Sequence, residues 1–144
     1  MGRRVGLVGC VSQKSAGPRP ARDLYTSALF RGRRGYVERA CDRWWILSAL
    51  HGLVDPDAVL APYDVTLTRA SVAQRRAWSA RVLSQLLEMG DFGAGDVVEI
   101  HAGADYRDYG LVEGLRAQGV AVVVPTEGLR LGEQLRFYRV SGAS

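Results

Sequence analysis

The loop that follows the apolar run at residues 44–47 carries Ser48, His51, Asp55, Tyr63 and Asp64 on one stretch of chain. An imidazole titrates near neutral pH, so His51, beside the permissive Gly52, is a candidate general base; the structural alternative is a histidine that pins the loop by hydrogen bonds. Asp64 follows Pro62 and Tyr63. The proline stiffens the backbone and the tyrosine offers a face to a planar ring, which would hold the acid at a pocket; otherwise Asp64 is an ordinary turn residue. Glu127 precedes a helix start, where it either caps the helix or aims at a substrate hydroxyl. Lys14 is the only lysine beside 18 arginines. In a chain that otherwise uses arginine for every cation, a compact ammonium marks either a chemical requirement or one retained codon.

Asp64, His51, Lys14 and Glu127 are therefore the candidate catalytic groups. Cys10, Ser12, Ser48, Tyr63, Gly103, Tyr106 and Thr126 are the candidate substrate-binding residues, because each lies at the carboxyl end of a predicted strand or in the loop after it. Several nucleophile and cofactor motifs are missing. The segment GCVSQKS has no glycine just before Lys14, and Pro18 and Pro20 forbid an immediate helix, so it is not a Walker A loop. Backbone N–H groups, Ser12 and Lys14 could still hold a phosphate or carboxylate there. Cys10 lacks the C-x5-R spacing of a phosphatase loop and reads first as a small apolar filler at a strand end. No GxSxG elbow supports Ser48 as a nucleophile. With two histidines, no HExxH and no CxxC, neither a metal site nor a cofactor is expected.

These side chains need a scaffold that brings distant loops to one rim. Residues 5–11 read as a first strand, with a Ser/Gly/Pro-rich loop to residue 20 and a helix over about 27–41. The second strand is 44–48. Ser71 with Gln74 three residues on has the capping-box spacing for a helix to about 89, closed by Gly90. Residues 96–101 form a third strand, 106–118 a helix ended by Gly119, and 120–124 a fourth strand. After the turn at Pro125, Thr126 and Glu127, a last helix spans about 128–138. Alternation of this kind specifies an α/β fold: a three-layer, Rossmann-like open sheet of about four mainly parallel strands with flanking helices. In such sheets ligands bind beyond the carboxyl ends of the strands.

The 144 residues and 47% hydrophobic content fit one domain with a real core. No apolar run approaches the roughly 18 residues of a membrane span, and residues 1–8 are too short for a signal segment, so a cytoplasmic protein without membrane contact is expected. Cys10 and Cys41 then stay reduced. The net charge of +4 favours anionic partners, from nucleotides to nucleic acid.

The motifs LVGC-x-S-x-K, ARDLY-x-S-x-LF (residues 21–30), W-x-ILSA-x-HGLV-x-P (44–56) and PYD-x-TL (62–67) resemble a group of uncharacterised bacterial and phage domains distantly similar to the peroxide-stress YaaA proteins. The likeness is strongest over residues 5–67 and looser beyond, where A-G-x-x-Y and P-x-x-G-L-x-x-G-x-Q-L recur. It implies a shared site in a setting of nucleotide or nucleic-acid base chemistry. Leu50 departs from it, standing where a basic residue is expected.

An acid at Asp64 or Glu127, a base-stacking Tyr63 and cationic Lys14 suit metal-independent hydrolysis or transfer at the N-glycosidic bond of a nucleoside or nucleotide. The competing reading is a non-enzymatic nucleic-acid binder, or an accessory to nucleic-acid modification, using Arg31, Arg33, Arg34, Arg39 and Arg43 as a basic helix face. Salt separates the two. A small-molecule enzyme should bind its ligand with little salt dependence, whereas a backbone binder should lose about one unit of log K per unit log salt for each phosphate it contacts; oligonucleotide titrations at several salt concentrations measure this.

Overall fold

The structure is a computed structural model and describes residues 2–10, 14–89 and 92–142. At its centre lies β1 (Arg4–Gly9), every residue of which after Arg4 is buried. A strand with no polar face needs cover on both sides and parallel neighbours. After β2 (Arg19–Pro20) and the two helices that follow, the chain returns as β3 (Arg43–Ser48), which pairs parallel with β1 in the register Val5–Arg43 to Gly9–Leu47. On the other side of β1 lies β6 (Val97–His101), again parallel, with Leu7 opposite Ile100. The edges are β4 (Gly52–Val54), antiparallel to β3, and β7 (Ala121–Val123), parallel to β6, giving the order β4-β3-β1-β6-β7. A separate antiparallel pair joins β2 to β5 (Val59–Leu60).

Six helices surround the sheet among the described residues: α1 (Ala21–Leu24), α2 (Ala28–Ala40), α3 (Val72–Glu88), α4 (Ala104–Arg107), α5 (Leu111–Ala117) and α6 (Leu131–Gly142), with a 3-10 turn at Leu67–Arg69. None is long and apolar enough to cross a membrane. Ser27 caps α2 by accepting from the Phe30 N–H at 3.1 Å, and α2 buries Phe30, Arg33 and Val37. Helix α2 sits tightly on β1, since a Cβ at Gly6 would lie 2.8 Å from Val37 Cγ1. Helix α3 opens on the capping box of Ser71 and Gln74, as their spacing requires. It fastens to the sheet through Trp78 Nε1, which donates to the Ser48 carbonyl at 2.8 Å, and through Gln85 Oε1, which accepts from Leu53 N at 2.8 Å.

The sheet has five strands where about four were expected. The additional one, β4, lies in the stretch read as loop: Gly52 adopts φ of +75°, so the chain reverses directly after Ser48 and pairs back on β3. The helix expected over 106–118 is two helices, α4 and α5, separated at Gly110, whose φ of +122° no helix accommodates. The last helix starts at Leu131 because Gly128, with φ of +81°, belongs to the turn before it. The first strand ends at Gly9 among the described residues; Val11, Ser12 and Gly90 lie outside them.

Strand order decides where a site can form. From β1 the chain moves to β3 on one side; from β6 it moves to β7 on the other. The segments leaving the carboxyl ends of these adjacent strands therefore diverge and open a crevice between them. Because Leu7 is fully buried at the middle of β1, Leu7→Ala should lower the unfolding free energy by about 2–5 kcal/mol. Urea titration reads this as a reduced midpoint at unchanged slope.

Candidate active site

The crevice beyond β1 and β6 is a cavity of about 430 Å³. Cys10 and Lys14 from the β1 side, Gly103, Asp105 and Tyr106 from the β6 side, Arg33 from α2 and residues 64–66, 68 and 69 line it. Gly9 permits this closeness at the strand ends: a Cβ there would lie 2.7 Å from Ala102 Cβ.

Beneath the cavity is a cluster of hydroxyls organised by Tyr63. Its Oη lies 2.5 Å from Tyr25 Oη and 2.7 Å from Ser48 Oγ, with Cys10 Sγ at 3.7 Å. Ser48 Oγ accepts in turn from the His51 N–H at 3.0 Å, so the loop that begins after β3 is tied to the residue that ends it. Lys14 Nζ stands 4.5 Å from the centre of the Tyr63 ring and 5.8 Å from that of Tyr25, a cation–π arrangement that fixes the ammonium over the cluster. The His51 ring meets Tyr63 edge-on at 5.4 Å. Burial, followed by the nearby Cys10 sulfur, pushes Tyr25, Tyr63 and Tyr106 well above the ordinary phenol range. These hydroxyls therefore stay protonated donors at neutral pH.

Arg33 forms the deepest part of the lining. It is 4% exposed, Nη1 donates to the Gly9 carbonyl at 3.1 Å, and Nη2 approaches Gln134 Oε1 at 3.4 Å. Behind it runs a buried polar chain. Tyr138 Oη, which neighbours Arg33, meets His101 Nδ1 at 2.7 Å; His101 Nε2 meets Glu99 Oε1 at 3.1 Å; Arg4 closes the far end on Glu99. Burial alone would raise the Glu99 carboxyl, but hydrogen bonds from His101 and Arg4 outweigh it and hold the group below its usual range.

The candidate residues separate into those at the cavity and those elsewhere. Cys10, Lys14, Asp64, Gly103 and Tyr106 line it. Ser48 and Tyr63 lie under it, and His51 reaches it only through them. Asp64 is exposed and pairs with Arg69 at 3.2 Å. Glu127 goes elsewhere: the turn closed by its own N–H on the Val124 carbonyl directs it to Arg107 at 3.4 Å, in a separate hollow with Asp108 and Gly110. Thr126 is buried toward Tyr138. Ser12 lies outside the described residues. Leu50 is exposed.

Sequence reasoning missed Arg33, Thr66, Thr68 and Asp105. Asp105 Oδ2 accepts from Thr68 Oγ1 at 3.1 Å, and Oδ1 pairs with Arg75 at 3.2 Å. The arginines of α2 do not form one basic face. Arg33 points inward, Arg34 is held by Asp23 and Glu38, and Arg43, which lies on β3, covers Trp45 at 4.4 Å. A signal for Arg33 was present: it falls between Phe30 and Val37 at the spacing of one helix face, so it shares their buried stripe.

The chain matches the model of a protein family, described as a family of unknown function (DUF6884), over residues 5–140. It belongs to that family. The chain is also similar to the "Uncharacterized protein YfjM" of Bacillus subtilis (strain 168), at 42% identity over 71 residues, which cover 44% of this chain and 47% of that protein. The chain thus matches about half the length of this curated relative. The DUF6884 match takes in every residue that lines the cavity, from Cys10 to Tyr106.

Protonated, buried tyrosines set a pH limit. Their folded pKa values lie above the ordinary 10.0, so the stability they contribute is complete below about pH 10 and is lost as pH rises toward the folded values, because the unfolded chain ionises first. In an alkaline titration, tyrosinate absorbance from Tyr25, Tyr63 and Tyr106 should appear together with loss of circular dichroism rather than before it.

Proposed function

We propose that this DUF6884 protein is an enzyme acting on a nucleoside- or nucleotide-type small molecule, hydrolysing or transferring at its N-glycosidic bond. The observation that carries the reading is one cavity of about 430 Å³ that Lys14, Asp64 and Tyr106 line together at the diverging strand ends. That volume falls in the range of small-molecule sites. The opposite directions of the two crossovers, if both are right-handed, support a three-layer, Rossmann-like sheet, where such sites form.

Asp64 is the acid that this reading favours over Glu127, since Asp64 borders the cavity that holds Lys14 and Glu127 borders another. In hydrolysis, a water oxygen bonds to the anomeric carbon as the carbon–nitrogen bond breaks. The electron pair of that bond stays on the base nitrogen, Asp64 takes a proton from the water, and that proton passes to the nitrogen. The products are the free sugar and the neutral base. Asp64 thereby meets the oxocarbenium-like charge while it forms. The Tyr63 cluster keeps Lys14 in place, and the protonated hydroxyl of Tyr106 is available to hydrogen-bond the ligand.

Incubating the protein with a panel of nucleosides and nucleoside monophosphates, with chromatographic detection of released base, tests the reading; no release across the panel would end it. With a substrate in hand, Asp64→Asn should reduce kcat about 10²–10⁴-fold. Lys14→Arg should also impair turnover, because a planar guanidinium fork does not present its charge to a single oxygen as a compact ammonium does. Both variants should fold, Asp64 being exposed and Lys14 half-buried.

A further inference from the structure

We propose that Arg33 is an oxyanion-binding residue and that the ligand of the cavity carries a phosphate monoester. The choice of ligand rests on the nucleotide-type reading above, but the charge balance that points to it does not. Each carboxylate at the cavity has an arginine of its own: Asp64 pairs with Arg69 and Asp105 with Arg75. Arg33 has none. Among the described residues no carboxylate pairs with it, its Nε is buried without a hydrogen-bond partner, and the rest of the fork meets neutral oxygens, those of Gly9, Gln134 and the neighbouring Tyr138. A guanidinium presents five N–H donors in a rigid fork, and the one on Nε points at no acceptor.

A buried cation is retained at such cost only where something compensates it. The side chain lines the cavity, so the missing acceptor belongs there. Lys14 lines the same cavity, and two cations suit a doubly charged phosphate better than a single carboxylate. Burial biases Arg33 toward losing its charge, while the neighbouring Tyr138 hydroxyl works against that. Tyr138 is itself held by His101 and, through it, by Glu99. Through Tyr138, that buried chain holds one side of the fork.

Thermal-shift and calorimetric titrations of the whole chain with inorganic phosphate, ribose 5-phosphate and adenosine monophosphate test the inference, with acetate and matched sodium chloride as controls. The expected result is a dose-dependent rise in Tm for the three phosphates and none for the controls. Arg33→Met should fold, with an unliganded Tm no lower than that of the wild type, and should bind ribose 5-phosphate at least about tenfold more weakly, with Arg33→Lys intermediate. Should Arg33→Met fail to fold, Lys14→Met, at a half-buried position, reads the same loss. Phosphate affinity unchanged in a folded Arg33→Met, no shift with any phosphate, or a shift with acetate alone would overturn the inference. The two readings of the cavity fail separately. Phosphate-dependent binding without base release sinks the glycosidic reaction and keeps the phosphate site, whereas equal turnover of a nucleoside and its monophosphate does the reverse.

Discussion

Everything at the candidate site depends on two adjacent parallel strands whose chains leave in opposite directions. Parallel pairing of β1 with β6 puts their carboxyl ends side by side, and the move to β3 from one and to β7 from the other keeps the following loops from covering the gap. Side chains from both loops then meet across it. Had β6 continued toward β3, Cys10 and Lys14 would not face Gly103 and Tyr106. The glycines at positions 6 and 9 enforce the arrangement, because the first lets α2 seat on β1 and the second lets the strand end lie against Ala102.

The polar groups under that gap form two connected systems with different physical characters. One is neutral: the hydroxyls of Tyr25, Tyr63 and Ser48, which satisfy one another in a region where an unmatched donor would cost about 1–3 kcal/mol. It ties the loop after β3 to the strand that precedes it and supports the lysine above. The other is charged. It runs from Arg4 at the sheet surface through Glu99 and His101 to Tyr138 and Arg33. A charged chain of this kind is a poor source of stability, since desolvation offsets much of the attraction, but it holds its members in one geometry. Both systems end on a cation at the same cavity.

The family match extends over nearly the whole chain, so the cavity and both polar systems, apart from Arg4 at the end of the charged one, lie inside it. The shared 71-residue stretch with the Bacillus subtilis protein is a smaller unit than the family match. What the site binds is thus a question about the chemistry of this crevice, and the charges around it are the most direct guide.

The order of strands and helices was legible because it rests on local patterns. Buried runs such as residues 44–47, the Ser71–Gln74 cap and the helix-ending glycines act within a few residues of themselves. The strand hidden after Ser48 was not, because its pairing depends on the positive φ of Gly52 and on a partner already in place. The site divides in the same way. Position after a strand, read from sequence, led to Cys10, Lys14, Asp64, Gly103 and Tyr106; it also led to Glu127, which a turn of a few residues carries to Arg107 instead. Arg33 was read as part of a basic helix face for nucleic acid although its place between Phe30 and Val37 marked the buried side of α2. Sequence by itself determined which segments would be strands and which residues could reach their ends. Only the tertiary structure decided which cations keep a carboxylate partner, because pairing is settled by distances between side chains far apart along the chain, and those distances exist only once the sheet has set them.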